Sequence, residues 1–254
     1  MTDTPKLRDE SGAKPPALSL RGLRFRYVGA VDTPADSWTI DLPSLDVAHG
    51  EQVLLTGGSG TGKSTLLHLI AGLVDPAEGT VLVDGTDIHS FAGAPRDRFR
   101  GTKIGMIFQT FNLLSGFSAL ENVLAALMFS SVPAGKHQEL AEAALARLGI
   151  TRVHATQEEL SVGQQQSVAV ARAVVCRPAL VLADEPTASL DPENAEHAMD
   201  LIQSVCHELG AALVCVSHDP AMSARFERRE KLGSLVRAAT DSATGAATGA
   251  GGSR

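Results

Sequence analysis

Cysteine is scarce in this sequence, and its three cysteines are not placed for metal binding or cross-linking. Cys176, Cys206 and Cys215 are odd in number and show no Cys-x-x-Cys spacing. Structural zinc sites and disulfide frameworks use paired or closely spaced cysteines. The sequence therefore disfavours both, and we expect the three side chains to act as small buried hydrophobes in a reducing compartment.

The chain also lacks the segments that would place it in a membrane. It has no apolar run of the roughly eighteen residues that a spanning helix needs. Residues 1–16 are polar and lack the apolar stretch of a signal peptide. We therefore expect a cytoplasmic protein without direct membrane insertion, which reaches a membrane only through a partner.

An excess of positive charge is absent as well. The formal net charge is −7, which disfavours nonspecific binding to nucleic acid or anionic membranes as the main activity, since both rely on basic surfaces. The 254 residues suffice for one substantial α/β domain. We expect this domain over residues 17–236, with disordered tails at 1–16 and in the Ala/Thr/Gly/Ser-rich stretch 237–254.

A glycine-rich motif is the most informative feature that is present. It matches G-x-x-x-x-G-K-[ST] and consists of Gly57, Gly58, Ser59, Gly60, Thr61, Gly62, Lys63 and Ser64, followed by Thr65. An apolar strand-like run precedes it at 53–55 and a helical pattern follows it at 66–71, which is the context this motif requires. Glycines let backbone N–H groups wrap phosphate oxygens, while the lysine adds charge and the serine a hydroxyl for Mg²⁺. The motif predicts a nucleoside-triphosphate site; the alternative is a flexible glycine loop.

The remaining pattern predicts an α/β chain with a helical insertion. Alternating residues predict antiparallel strands at 18–27 and 38–47, a further strand at 79–85 that ends in an Asp-Gly turn, and an apolar strand at 103–109. Helical spacing at 119–129 and 138–148 makes residues 110 to about 160 an insertion. Beyond it, the pattern predicts a helix at 163–176, a strand at 179–183, a helix at 192–209 and a strand at 211–216. This alternation is typical of a parallel core sheet with right-handed crossovers, and the chain shows no internal repeat.

Two acidic residues directly follow a predicted buried strand. Ligands of open α/β sheets bind beyond the carboxyl ends of the strands, where the glycine loop also lies. There, Asp184 can hold Mg²⁺ and Glu185 can face the attacking water. The alternative, a solvated acidic turn, loses weight because the glycine loop lies upstream.

Three further residues are candidates for the nucleotide site, but each one alone is weak evidence for it. Ser161 is placed as the cap of a helix, whose first N–H groups could form an anion site or simply begin an ordinary helix. His218 and Gln109 each follow a predicted strand and so lie at the ligand edge of the sheet, where either could equally be structural.

As an ordered set, these motifs resemble the ATP-binding-cassette ATPases over nearly all of the predicted domain. The resemblance is carried, in chain order, by residues 57–65, Gln109, the Leu-Ser-x-Gly-Gln signature at 160–164, residues 180–185, residues 189–191 and His218. Residues 108–114 and 182–188 are most similar to the ATPase subunits of lipoprotein-release, macrolide-export and related (MacB/LolD/DevA-type) systems. The resemblance implies a P-loop NTPase domain with a RecA-like parallel sheet, an N-terminal antiparallel β-subdomain and an inserted helical subdomain at about 110–176.

The resemblance also implies cofactors and roles for residues of one chain. ATP and Mg²⁺ would be held by the glycine loop with Lys63, Ser64, Gln109 and Asp184, and Glu185 would polarise the hydrolytic water. His218 would contact the γ-phosphate. Tyr27 lies where the family places an aromatic ring under the adenine, although a tyrosine that simply packs at a strand end is an equal alternative.

Other roles implied by the resemblance involve a second chain. Two such ATPases, as a homodimer or heterodimer, pair head to tail, so that Ser161, Gly163 and Gln164 would act on the partner's nucleotide and Asp191 would couple the two sites. Val162 replaces a glycine of the usual signature and Ser167 an arginine. Because valine enters left-handed backbone at a cost, we expect a changed signature turn. Ser167 is expected to weaken a contact to the helical subdomain or the dimer partner.

Together these features predict an ATP-hydrolysing subunit that powers a separate membrane permease of an export or lipoprotein-release system, peripheral on the inner face of the cell membrane. A nucleotide-gated mechanical regulator, a soluble repair or translation ATPase and a non-hydrolysing module are the alternatives, ranked lower. The segment 111–122 would meet the permease, since Phe111, Leu113, Leu114 and Phe117 are large apolar groups for a loop. For about half of them, burial in the helical subdomain is the alternative.

Overall fold

The computed structural model describes residues 14–27, 38–58 and 60–233. The tails predicted at 1–16 and 237–254 lie outside these ranges except for residues 14–16, as does Ser59 of the glycine motif. In chain order, the strands and α-helices are β1 Leu18–Phe25, β2 Ile40–Val47, β3 Gln52–Thr56, α1 Lys63–Ile70, β4 Glu78–Val83, β5 Thr86–Asp87, α2 Ala94–Lys103, β6 Ile104–Ile107, α3 Ala119–Met128, α4 His137–Arg147, α5 Val162–Val174, β7 Leu180–Asp184, α6 Pro192–Leu209, β8 Ala212–Val216, α7 Pro220–Ser223 and β9 Arg228–Lys231.

The first sheet is antiparallel, as the alternating pattern predicted. Its strand order is β2-β1-β4-β5, and Leu18 of β1 faces Val47 on one side and Val83 on the other. All three side chains are fully buried in the same core cluster as α1. Burying one face of this sheet places its apolar side against the nucleotide-binding core.

The second sheet is parallel and carries the site. Its order is β6-β7-β8-β3-β9, so β3, which leads into the glycine loop, lies between β8 and β9. Strands β7 and β8 are almost wholly buried, which explains their continuous apolar runs. In a parallel sheet the carboxyl ends of all strands meet at one edge, and the residues that follow β3, β6, β7 and β8 are therefore brought together there.

Helices α3, α4 and α5 form a separate apolar cluster beside the parallel sheet. Val168 and Ala171 of α5 belong to this cluster, whereas Val170 and Ala173 of the same helix pack in the core beneath β7. Helix α3 begins with a capping box between Ser118 and Glu121. Helix α5 therefore joins the helical insertion to the sheet through two faces.

Pattern-based prediction missed several elements. Helix α2 has no fully buried residue, so it lacks the apolar stripe that reveals a helix in a sequence. Strand β9 has the sequence Arg-Arg-Glu-Lys and is held only at the edge of the sheet, beside β3. The predicted helix at 163–176 runs instead over Val162–Val174, and the predicted strand at 103–109 is the shorter β6.

The cysteines follow the prediction in two cases of three. Cys206 and Cys215 are buried in the core, whereas Cys176 is half-buried and lines a surface groove. Among the helices that the structure describes, none combines the length and apolar composition needed to cross a membrane.

Candidate nucleotide-binding site

The glycine loop connects β3 to α1 in a conformation that needs glycine. Gly60 and Gly62 have φ angles of 75° and 86°. A Cβ on Gly62 would lie 2.8 Å from Cδ1 of Ile40 and 3.0 Å from the carbonyl oxygen of Thr39. Left-handed backbone and close packing therefore both exclude a side chain at this position.

Lys63 is the first residue of α1 and is 9% exposed. Its Nζ donates to the carbonyl oxygens of Gly57 (2.9 Å) and Gly58 (3.0 Å), and Oγ1 of Thr61 also donates to Gly58 (2.9 Å). Within the described residues, no side chain caps the start of α1, and Gly62, Lys63 and Ser64 at this start line the pocket. A buried cation and free N–H groups at a helix N-terminus are the components of a phosphate site.

Asp184 ends β7 beside this loop. Its Oδ1 is buried and has no hydrogen-bond partner among the described residues. A buried carboxylate oxygen without a partner is unfavourable unless a cation neutralises it. The donor set of Asp184, the exposed Ser64 hydroxyl and the Gln109 amide is all-oxygen, as Mg²⁺ prefers. These residues therefore fit the magnesium ion that the sequence predicts.

Glu185 and His218 form a direct pair at the same edge. Oε1 of Glu185 lies 2.8 Å from Nδ1 of His218, and the backbone N–H of His218 donates to Oε2 over 3.3 Å. Glu185 has a φ of 48°, and its own N–H donates to the carbonyl oxygen of Val216. This left-handed turn aims the carboxylate away from the sheet. A carboxylate only accepts, so Nδ1 of His218 is the donor in this pair.

The carboxylates of Asp184 and Glu185 affect a thiol in the core beneath them. Burial raises the pKa of the Cys215 thiol, and the nearby carboxylates of Glu185 and Asp184 raise it further. Cys215 therefore stays a neutral thiol under these two acids.

A cavity of about 640 Å³ lies at this edge of the sheet. It is lined by Tyr27, Thr39, Gly60, Gly62, Lys63, Ser64, Thr65, Gln109, Glu185 and His218. Tyr27 packs edge-on against Phe25 with ring centroids 4.9 Å apart, and its hydroxyl lies 3.0 Å from Oγ1 of Thr65. Its ring is 53% exposed. The packing alternative for Tyr27 is thus observed, and stacking on adenine stays a prediction.

Eight described residues predicted to act in the site do not line this cavity. Four of them, Gly57, Gly58, Thr61 and Asp184, belong to the glycine loop and to the end of β7, whereas the other four lie at the starts of α5 and α6. Ser161 and Gln164 form a capping box at the start of α5, Gly163 follows in its first turn, and Asp191 caps α6 through the N–H of Asn194. A Cβ on Gly163 would meet no atom within 4 Å. The signature turn is therefore complete and open to solvent, but it lies outside the pocket of its own chain.

Val162 does not have the left-handed backbone on which the expected change of the signature turn depends, and a difference from the usual turn stays a prediction. Val162 is the first residue of α5, is not among the residues with positive φ, and is 50% exposed. Because a regular helix start needs no left-handed residue here, the conformational difficulty of valine does not arise. Ser167 is half-buried, and its effect on a helical-subdomain or dimer contact stays a prediction.

Sequence reasoning missed two contributors to the site. The backbone of Thr39 closes the cavity against Gly62, and no signal in the sequence marks it. Ser189 donates from Oγ to the carbonyl oxygen of Gln109 over 3.0 Å. It lies in the 189–191 motif, which could have directed attention to it.

A glycine loop, a buried lysine and two strand-end acids on a parallel sheet define a P-loop nucleoside triphosphatase. Comparison with known proteins narrows the class: the family model described as ABC transporter matches residues 40–188. The chain belongs to this family, as one of its ATPase subunits.

Relatives and solved structures agree with this assignment. The chain is 41% identical over 186 residues to the lipoprotein-releasing system ATP-binding protein LolD of Shewanella sp. (strain MR-4), covering 73% of this chain and 80% of the relative. Its fold is similar to the ATP-binding cassette MJ0796, solved as a dimer in a post-hydrolysis state with ADP and Pi (TM-score 0.71, 31% identity, 84% of this chain and 93% of that one). It is also similar to cbiO1 of Clostridium perfringens, part of the ABC transporter complex cbiONQ (TM-score 0.69, 28% identity, 81% and 80%).

Proposed function

We propose that two copies of this ATPase, or one copy and a close relative, pair head to tail and drive a separate membrane permease of the export or lipoprotein-release type. One observation carries the proposal: the signature turn at Ser161 and Gly163 is intact and exposed, yet lies outside the pocket that holds Lys63 and Glu185. A second chain can supply that turn to the first chain's nucleotide. The similar MJ0796 cassette, which was solved as a dimer, supports pairing of two such chains.

In this proposal the residues of one pocket have distinct tasks. Lys63 leaves the loop carbonyls for the phosphates of ATP, and Asp184, Ser64 and Gln109 would hold Mg²⁺, which neutralises phosphate charge. Glu185 accepts a hydrogen bond from the attacking water and so orients it in line with the γ-phosphate. His218 fixes the Glu185 carboxylate through Nδ1 and presents Nε2 toward the γ-phosphate.

Binding energy from the partner's signature turn would close the dimer on ATP. Ser161 and the first N–H groups of α5 suit an anion, since they combine a hydroxyl with a helix N-terminus. Hydrolysis and phosphate release remove that anion and open the dimer. The cycle of closing and opening is the mechanical output that a permease would use.

A second cavity supports a permease as the partner. A groove of about 490 Å³ lies between α2, α3 and α5, and its lining includes Leu73, Met106, Phe108 and Phe129. Phe129 is 63% exposed and Leu73 49% exposed. Exposed apolar side chains around a groove are typical of a protein-binding surface. This attachment would place the chain on the inner face of the cell membrane.

The permease contact predicted at 111–122 divides into buried and exposed parts. Phe111 is 7% exposed and belongs to the interior, whereas Leu114 and Phe117 are 40% and 46% exposed. Leu113 is partly buried against the helical cluster. Leu114 and Phe117 are therefore the two members of this set that are available to a partner, and the other two take the interior alternative.

Complementation of inactive variants tests the head-to-tail dimer. Lys63→Ala and Ser161→Ala should each abolish hydrolysis by the full chain. Mixed in equal amounts, they should recover about a quarter of the parent activity, since half of the dimers are mixed and each has one complete site. Lys63→Ala mixed with Glu185→Gln is the control. It should stay inactive, because Lys63 and Glu185 lie in the pocket of the same chain, so that every site of a mixed dimer lacks one of them. Absence of recovery from variants that still fold and dimerise would contradict the proposal.

Co-expression with membrane proteins encoded by neighbouring genes tests for the permease. A membrane protein with four spans and a large extracytoplasmic domain fits the proposed system, and the ATPase should co-purify with it. Phe129→Asp should abolish co-purification. Met128→Asp is the matched control, because Met128 is 73% exposed but does not line the groove.

A further inference from the structure

Arg172 on α5 makes an unusual set of contacts. Its Nη2 donates to the carbonyl oxygen of Phe111 over 2.7 Å, and its Nη1 donates to that of Asn112 over 2.6 Å. None of the ion pairs within the described ranges includes Arg172, and burial lowers its pKa. A half-buried cation is thus bound by two consecutive backbone carbonyls, an interaction stronger than a neutral hydrogen bond.

The two carbonyls belong to residues in a strained conformation. Phe111 and Asn112 have φ angles of 59° and 47°. Two successive left-handed residues with side chains are uncommon, and such a turn persists only where its surroundings hold it. The guanidinium fork of Arg172 supplies that hold.

The strained turn lies between the nucleotide pocket and the groove. Gln109 lines the pocket, and Asn112 and Arg172 line the groove. Ser189 binds the carbonyl of Gln109, and Oδ1 of Asn122 accepts from the N–H of Leu114 over 2.7 Å. The segment 109–114 is therefore pinned at its start by the loop before α6, in its middle by α5 and at its end by α3.

We propose that Arg172 is a positioning residue for hydrolysis. It holds the strained turn so that the Gln109 amide stays in the nucleotide pocket, and it links that position to α5 and to the groove. The role of Gln109 in this proposal rests on the proposed function. The hold of Arg172 on the carbonyls of Phe111 and Asn112, called the latch below, rests on contacts within one chain.

Steady-state hydrolysis by the full chain tests the role in catalysis. Arg172→Gln should lower kcat about tenfold, the scale of one charge-assisted hydrogen bond, and leave the KM for ATP within about twofold. Arg172→Lys, which keeps the charge but cannot fork to both carbonyls, should be intermediate. The double variant Gln109→Ala/Arg172→Gln should be no slower than Gln109→Ala alone, because both changes remove the same positioned amide. A double variant whose loss of kcat equals the product of the two single losses would overturn the proposal.

Amide hydrogen exchange tests the latch independently of hydrolysis. In Arg172→Gln, the N–H groups of Phe111, Asn112 and Leu114 should exchange about tenfold faster than in the parent. Arg152→Gln is the matched control, because Arg152 also donates to a backbone carbonyl, that of Glu159, away from this segment. Exchange at 111–114 equal to the control would overturn the latch. A parent chain that fails to hydrolyse ATP would overturn the proposed function, and the exchange result alone would then decide on the role of Arg172. If Arg172→Gln does not fold, Arg172→Lys takes its place in the exchange measurement.

Discussion

Nδ1 of His218 lies 2.8 Å from Oε1 of Glu185, although the two residues are 33 positions apart in sequence and each follows a different strand. Adjacent strands β7 and β8 bring them together, and the left-handed turn at Glu185 completes the contact. In the proposed function, this contact lets His218 orient the Glu185 carboxylate from the edge of the nucleotide pocket, which His218 also lines.

Replacement of His218 should therefore slow hydrolysis more than it weakens ATP binding. His218→Ala should lower kcat by about 100-fold, the lower end of the range for a positioned acid–base group. His218→Asn should be less impaired, since its amide can still donate to Glu185. Steady-state kinetics with His197→Ala, an exposed histidine on α6, as control would check this. Equal activities of the alanine and asparagine variants would contradict the orienting role.

Gly62→Ala should impair both stability and ATP binding. The left-handed φ of 86° and the approach of Ile40 predict a loss of about 1–3 kcal/mol in the free energy of unfolding. Gly135→Ala is the matched control, because a Cβ there meets no atom within 4 Å and its φ is not positive. Chemical denaturation and equilibrium ATP binding measure the two effects. An alanine variant as stable as the parent would show that the loop can relax.

Val162→Ala should raise the rate of hydrolysis several-fold at saturating ATP. The valine side chain is half exposed at the start of α5, where the proposed dimer places the partner's nucleotide, and its bulk opposes closure. Alanine removes the bulk without the loss of helix propensity of about 1 kcal/mol that glycine brings. Met128→Ala controls for loss of an exposed apolar group. An unchanged rate would place Val162 outside the closed interface.

The stability contribution of Asp84 should be lost in acid. Burial alone would raise its pKa, but the hydrogen bond and charge of Lys103, helped by His49 and Lys14, hold it below the ordinary value. A carboxyl group whose pKa is lowered on folding stabilises the protein fully at pH values above its unfolded-state pKa of about 3.9. This contribution disappears as the pH falls through the folded-state pKa. Denaturation of Asp84→Asn and the parent should thus differ most at neutral pH and converge once the pH has fallen below the lowered folded-state pKa of Asp84. A difference that persists at low pH would assign the effect to packing.

The three cysteines should react with a maleimide in a fixed order. Burial raises the pKa of Cys206 to about 12, and Cys215 is fully buried, whereas Cys176 is half-buried. Cys176 should be labelled first, and the other two at least about 100-fold more slowly, because they must wait for local opening. Mass spectrometry after timed labelling of native protein, with unfolded protein as reference, gives the three rates. Early labelling of Cys215 would contradict its burial beneath Glu185.

Local sequence pattern predicts the strands and helices that bury one face or are buried completely. The strands β7 and β8 and the helices α3 and α6 are visible as apolar runs or stripes, with Pro192 and Gly210 marking the ends of α6. Helix α2 and strand β9 bury too little of their own surface to leave such a pattern. Their positions depend on neighbours distant in sequence, as β9 depends on β3.

The sequence by itself determined the phosphate loop, because glycine at Gly62 and lysine at Lys63 act through backbone conformation and charge within one turn. It also determined the order of motifs from which the family follows. Only the tertiary structure decided that Asp184 has a buried oxygen without a partner among the described residues, that Glu185 meets His218, and that Arg172 holds the turn after Gln109. These contacts join residues from separate elements, and their distances depend on how the sheet and the helical cluster pack, which no local pattern encodes.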